Sequence, residues 1–208
     1  MELEKSQSAD AARFRRNVRY LLSQVDVVLT ELGVPFWICS GTLLGWYRQC
    51  DVIPHSMDVD IGMFEAGAML SEEIIDGMEK RGVQLKMRLG MTNDSYQLAF
   101  YARDTKLDIY VFYETEHDRG GYWNGATKPE TSEKFRYDFP PFTLCWTKFL
   151  DLKLRIPCET EQYLVANYGE TLMEPVEAWD WKQSPTNVSP NGVWADRDAV
   201  QVFEHDEL

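Results

Sequence analysis

The chain has 208 residues, 44% hydrophobic and 13% aromatic, enough apolar material for one globular unit; this excludes a disordered chain and a large multidomain assembly. Its 21 basic and 34 acidic residues leave a formal charge of −13 spread along the chain. That balance opposes a role on nucleic acid, whose backbone calls for a basic stripe, but admits a small phosphorylated ligand held through a divalent cation.

Val18, Leu21, Leu22, Val25, Val28, Leu29 and Leu32 recur at steps of three and four, which predicts a helix over residues 10–32 with one apolar face, stopped by Gly33 and Pro35. PFWIC, from Pro35 to Cys39, reads as a short buried strand. Ser40-Gly41-Thr42 then reads as a turn into the helical stretch LLGWYRQC, an order that presents free backbone N–H groups to an anion. Residues 57–64 alternate like a strand, residues 68–81 look helical, MRLG and SYQLAFYA suggest a hairpin, and KLDIYVFY at 106–113 is strand-like.

Beyond residue 114, the polar, glycine-rich HDRGGYWNGATKPETSEK predicts a mobile surface loop, in which Asn124-Gly125 forms either an acceptor lid or a simple turn. Phe139-Pro140-Pro141-Phe142 and FTLCW begin another strand region, and Glu159 to Tyr168 reads as a short helix between Pro157 and Gly169. The tail from Glu174, rich in proline and tryptophan, is expected to wrap the fold without regular structure. The whole reads as one domain over 1–208, with 1–12 and 196–208 as flexible ends.

Cys39, Cys50, Cys145 and Cys158 form no CxxC and lie near no histidine cluster, so they make up to two disulfides or remain buried thiols rather than a zinc site. His55, His117 and His205 do not cluster. No apolar run reaches the length of a membrane-spanning helix and the first residues hold no secretory core, so the chain reads as soluble. His205-Asp206-Glu207-Leu208 spells the endoplasmic-reticulum retrieval signal, which places the chain in the ER or Golgi lumen, or in the cytoplasm if the tetrapeptide is accidental.

The residues that carry chemistry are aspartates. Asp58 and Asp60 stand two apart on a strand and so share a face, while Val59 and Ile61 point into the core. The same periodicity puts Asp108, Tyr110 and Phe112 on one face of 106–113; if the two strands are neighbours, Asp108 joins the pair. Three carboxylates on one face are either solvated or hold a hard cation such as Mg2+ or Mn2+. Two carboxylates side by side on one strand cannot flank a sugar ring, which argues against a glycosidase. A small-residue turn, D-x-D and a distal aspartate, in that order, describe a nucleotidyltransferase-like site on a mixed α/β (α+β) sheet flanked by helices.

FWICSGTLLGWYRQCDVIPHSMDVDIGMF resembles the signature of the LicD/fukutin family. LDIYVFY, PPFTLCW, RIPCETEQYL, ANYG and WDWKQSPTNVSPNGVW resemble the catalytic region of its fukutin branch, so the likeness spans roughly residues 13–195. The LicD branch carries further acids just before its D-x-D, where this chain has Ser56 and Met57, which disfavours a phosphocholine donor. The fukutin branch also carries an amino-terminal anchor and stem that these residues do not match.

The resemblance implies metal-dependent transfer of ribitol 5-phosphate from CDP-ribitol to a sugar hydroxyl of an O-mannosyl glycan on a glycoprotein, with CMP as leaving group and other glycosyltransferases of the pathway as possible partners. It implies that Asp58 and Asp60 bind the metal and donor pyrophosphate. Asp108 would complete the metal site or accept the acceptor proton. Ser40, Gly41, Thr42 and Gly45 would serve the donor phosphate, and Arg48 would pair with it bidentately. Trp46, Trp123, Trp179, Trp181 and Trp194 are candidates for stacking on sugar or cytosine, with core packing as the alternative. The rival readings are a relative using another CDP-linked donor and a catalytically silent glycan- or partner-binding relative.

Overall fold

The computed structural model describes residues 8–115, 120–176 and 178–203. Helix α1 (Ala9–Glu31) opens on Ser8, whose hydroxyl accepts the Ala11 N–H, and buries Val18, Leu21, Leu22, Val25, Val28 and Leu29. Each such side chain contributes about 1.5–3 kcal/mol of burial, and Gly33 at φ 70° turns the chain out of the helix. Strand β1 (Phe36–Ile38) follows, then α2 (Ser40–Gln49) and β2 (Asp58–Phe64). Ser40, Gly41 and Thr42 are thus the first turn of α2 rather than a separate turn before it.

The predicted helix at 68–81 is two short ones, α3 (Glu65–Ala68) and α4 (Ser71–Glu79). Strands β3 (Gln84–Met91) and β4 (Asp94–Ala102) form the expected hairpin, and β5 (Thr105–Glu114) is the 106–113 strand. The remaining elements are β6 (Tyr122–Lys128), β7 (Glu133–Phe139), β8 (Leu144–Phe149), β9 (Leu152–Pro157), α5 (Thr160–Tyr168), β10 (Val188–Val193) and β11 (Val200–Val202).

The main sheet runs β10-β7-β6-β5-β4-β3-β11, and β2 joins it by pairing with β5. That pairing is parallel; the other pairs of this mixed sheet are antiparallel. Leu107, Ile109 and Val111 of β5 and Val59 and Ile61 of β2 are fully buried on the face that packs with α1. The opposite face divides in two. Toward the C-terminal ends of β2 and β5 it carries Trp37, Phe64, Phe112, Phe139, Phe142 and Tyr163 in mutual contact. Toward their N-terminal ends it is polar. Gly62 permits the first half, because a Cβ there would sit 2.6 Å from the Trp37 ring.

The sequence expectation fails at two places. The predicted mobile loop is, from Tyr122 on, the hairpin β6–β7, in register from Tyr122↔Phe139 to Lys128↔Glu133; residues 116–119 lie outside those described. Its polar composition misled because the residues are polar and buried, Asn124 and Thr127 being 5% and 3% exposed. Asn124-Gly125 is accordingly neither lid nor turn but mid-strand, where Gly125 has no room for a Cβ against Ser95. The tail holds two strands, β10 on the β7 edge and β11 on the β3 edge, so it covers both free edges of the sheet by main-chain pairing that leaves little side-chain periodicity. Of the ends expected to be flexible, Ala9–Ala12 belong to α1 and Val200–Val202 to β11.

Cys145 and Cys158 are disulfide-bonded across β8 and β9, Cys39 is a buried thiol and Cys50 is exposed, so one bridge and two thiols replace the open alternatives. Between α2 and β2, Asp51 is 1% exposed and accepts hydrogen bonds from Arg15 Nε of α1 at 2.7 Å and from the Val52 N–H at 2.9 Å. This ion pair fastens the segment leading into β2. Asp51→Ala is expected to cost about 2–3 kcal/mol by removing the carboxylate that accepts from Arg15 and from the Val52 N–H, read as a lowered midpoint in urea; an unchanged midpoint would remove the anchoring role.

Candidate active site

The β2–β5 register sets Asp60 opposite Asp108 and Asp58 opposite Lys106. Cross-strand partners share a face, so three carboxylates and one ammonium converge. Each of Asp58, Asp60 and Asp108 offers an oxygen within 4.8 Å of the others. Asp60 and Asp108 are buried at 6% and 1% exposure, while Asp58 is partly open and accepts Ser56 Oγ at 2.8 Å.

Each buried acid is held. The Thr42 hydroxyl accepts the Asp60 N–H at 2.9 Å, the Cys39 N–H donates to the Asp60 carbonyl at 3.1 Å, and Gly41 lies against the Asp60 carboxylate, its backbone N–H favouring the charged form. The first turn of α2 therefore grips β2. Gln97 Nε2 of β4 donates to Asp108 Oδ1 at 2.9 Å, and Lys106 Nζ meets Asp108 Oδ2 at 2.8 Å. Burial, then the charges of Asp58 and Asp108, pushes the Asp60 carboxyl well above the usual range. Burial also raises Asp108, against the opposing pull of Lys106, and Lys106 itself rises because the Asp108 charge and hydrogen bond outweigh its own burial.

The trio opens on a cavity of about 610 Å3. Ser40, Gly41 and Arg48 line one side, and Gln97, Tyr110, Asn124 and Tyr137 the sheet side. Arg48 is 8% exposed and its Nε has no hydrogen-bond partner among the described residues. A buried, unmatched guanidinium beside a cavity is a ready anion site, since its desolvation is already spent.

Of the residues singled out from sequence, Asp58, Asp60, Asp108, Ser40, Gly41 and Arg48 come together around this cavity. Thr42 and Gly45 do not line it. Thr42 is committed to the Asp60 backbone, and Gly45 faces the Asp51 carbonyl, which a Cβ would approach to 2.6 Å. Trp179 and Trp181 line the cavity, about 40% and 37% exposed; Trp179 stacks on Tyr168, and the Trp181 carbonyl accepts Tyr137 Oη at 2.7 Å. Trp46, Trp123 and Trp194 do not; Trp123 stacks on Tyr113, and Trp194 donates to Thr127. His55 is exposed at the rim, and His117 and His205 lie outside the described residues. Lys106 and Gln97 were missed, although Lys106-x-Asp108 carries the same two-residue signal as the D-x-D. Asn124, expected in a loop as acceptor lid or turn, instead lines the cavity from mid-strand.

The donor set is all carboxylate oxygen, which fits a hard divalent cation and not a soft one. An ion there would neutralise repulsion that burial now amplifies. Adding Mg2+ or Mn2+ to EDTA-treated protein should raise Tm, worth about 2.7 kcal/mol once the ion is near 100 times its Kd. Because the folded pKa of Asp60 lies above its unfolded value, this group destabilises the ion-free fold at neutral pH, and the penalty fades as pH falls through the raised value. Asp60→Asn should therefore raise Tm in EDTA and abolish the response to the ions; a parent Tm indifferent to both ions would count against the site.

Residues 33–159 match the family described as LicD/FKTN/FKRP, nucleotidyltransferase domain. The chain is 49% identical over 189 residues to the human protein named Ribitol-5-phosphate transferase FKTN, covering 90% of this chain and 40% of that protein. It is 32% identical over 185 residues to an uncharacterized Caenorhabditis elegans protein, covering 85% of this chain and 48% of the other. The chain thus spans less than half the length of these relatives. The solution structure of the antibiotic-resistance factor ANT(2'')-Ia aligns over 57% of each chain at 18% identity with a TM-score of 0.40, too slight a likeness to argue from.

Proposed function

The chain belongs to the LicD/FKTN/FKRP nucleotidyltransferase family, and on that premise we propose that it transfers ribitol 5-phosphate from CDP-ribitol to a sugar hydroxyl of an O-mannosyl glycan on a glycoprotein, releasing CMP. The observation that carries this is the trio of aspartates within 4.8 Å facing a cavity that also holds the unmatched Arg48. Half-identity to a protein named Ribitol-5-phosphate transferase supports ribitol 5-phosphate as the group transferred.

In this reading Asp58, Asp60 and Asp108 hold Mg2+ or Mn2+, which when bound supplies neutralisation of the pyrophosphate charge. Arg48 takes non-bridging phosphate oxygens. Gly41 and Thr42 act indirectly, by fixing Asp60, while Gln97 and Lys106 fix Asp108. The acceptor hydroxyl oxygen attacks the phosphorus that bears ribitol, its proton passes to a carboxylate of the trio, and the bond from that phosphorus to the bridging oxygen breaks. CMP departs with that oxygen. The partly exposed rings of Trp179 and Trp181 suit the apolar face of a sugar.

The disulfide Cys145–Cys158 favours an oxidising compartment, in keeping with residence in the ER or Golgi lumen. No helix among the described residues is long and apolar enough to cross a membrane.

The test is CMP release from CDP-ribitol with an O-mannosyl glycopeptide acceptor in Mn2+ or Mg2+. Asp58→Asn and Asp60→Asn should each slow it on the order of 100-fold or more, since charge stabilisation at the transferring group dominates such reactions. Arg48→Met should chiefly raise KM for the donor. Aspartate variants as fast as the parent would end the mechanism, and preference for CDP-glycerol or CDP-choline would move the reading to another CDP-linked donor.

A further inference from the structure

Asn124 is 5% exposed, lines the cavity, and its side-chain amide has no hydrogen-bond partner among the described residues. The amide opens onto the cavity rather than into the protein, so its donors and acceptor are free to meet a ligand there. Its place in the sheet is well defined. Asn124 pairs across from Phe112 on β5 and from Tyr137 on β7, so it shares the face of Asp108 and Tyr110. Gln97 pairs with Tyr110 on the same face.

From Asp108 the sheet wall of the cavity therefore runs through Gln97 and Tyr110 to Asn124. Four strand residues separate the level of Asp108 from that of Asn124, about 13 Å along the sheet. With Asn124 the wall thus offers an amide, a phenol and a second amide, all neutral, laid diagonally across β4, β5 and β6, the first of them also donating to Asp108. A linear polyol presents hydroxyls in the same manner, each able to donate and to accept. An amide with one carbonyl and one NH2 free can meet two of them.

We propose that Asn124 is a specificity-determining residue that takes the distal hydroxyls of the donor's alditol chain, the phosphorylated end lying at the aspartate trio. This rests on the reading of the chain as a CDP-alditol transferase and adds which wall carries the alditol. The nucleoside then extends to the other side of the trio, past Ser40 and Arg48. A shorter alditol, with its hydroxyls nearer the phosphate, leaves Asn124 unmatched and binds less tightly.

Calorimetric titrations in Mn2+ with CDP-ribitol, CDP-glycerol and CMP test this on the parent, Asn124→Ala and Asn124→Leu. Both variants should bind CDP-ribitol about tenfold more weakly, lose the preference for CDP-ribitol over CDP-glycerol, and bind CMP as the parent does. Asn124→Leu should keep Tm, since the apolar side chain is of similar size and no protein hydrogen bond is lost. Equal weakening of CMP would assign the side chain to the nucleoside, unchanged binding throughout would make it a bystander, and a Leu variant of lowered Tm would make it structural; each overturns the inference. A parent that binds none of the three CDP or CMP ligands fails the transferase reading itself, which the parent's titrations alone reveal.

Discussion

The parallel pairing of β2 with β5 is the constraint on which the site depends. Neither strand alone gathers three carboxylates; Asp58 and Asp60 share a face on one, and Asp108 stands on the other. The register makes Asp60 and Asp108 direct partners and lets Lys106 sit across from Asp58. A slip of one residue would send Asp108 to the face buried under α1 and bring Leu107 or Ile109 in its place. The fully buried run Leu107, Ile109 and Val111 opposes that slip, so the apolar face of β5 enforces the chemistry of its polar face. At the other end of the strands, Trp37 lying across Gly62 and packed on Phe112 leaves no room for an alternative alignment.

Holding like charges together in a buried place is costly, and the surroundings divide that cost. Gln97 and Lys106 satisfy both oxygens of Asp108, and the start of α2 holds the Asp60 backbone from the other side. What is left over is a repulsion that a cation relieves, together with an Arg48 Nε and an Asn124 amide that have no hydrogen-bond partner among the described residues. These three groups are of opposite chemical kinds: anionic, cationic and neutral polar. A ligand that satisfies all of them carries a metal-bound phosphate, further phosphate oxygen and neutral hydroxyls, which is the composition of a nucleotide-linked alditol.

Much of this was legible in the residues because strands have a two-residue period. D-x-D and the KLDIYVFY run fix faces without knowledge of the fold, and the apolar spacing of α1 fixes its buried side. What periodicity could not supply was partnership. The sequence carries no mark that β5 pairs with β2 rather than with another strand; the structure supplies it through the register Asp60↔Asp108. The β6–β7 hairpin was hidden for a related reason. Asn124, Ala126 and Lys128 line the cavity and alternate with Gly125 and Thr127, so no apolar period shows, and Gly125 looks like a turn residue although it serves close packing on Ser95. Strand periodicity located the aspartates and the family resemblance implied their roles, but neither reached the polar wall beside them.

The tail shows how a segment without its own core can still determine the site. Between α5 and β10 it crosses the cavity mouth, fixed by Tyr168 stacking on Trp179, by Tyr137 Oη on the Trp181 carbonyl and by Thr186 on the Ala166 carbonyl. Tyr168 and Asn167 come from the end of α5, and Tyr137 from β7, so the roof is tied to both flanks of the cavity it covers. β10 then continues the sheet beyond β7, which converts an exposed strand edge into a support for the roof. The same backbone pairing that spares the fold an open edge thus holds two partly exposed indoles on the wall of the cavity onto which the aspartates open.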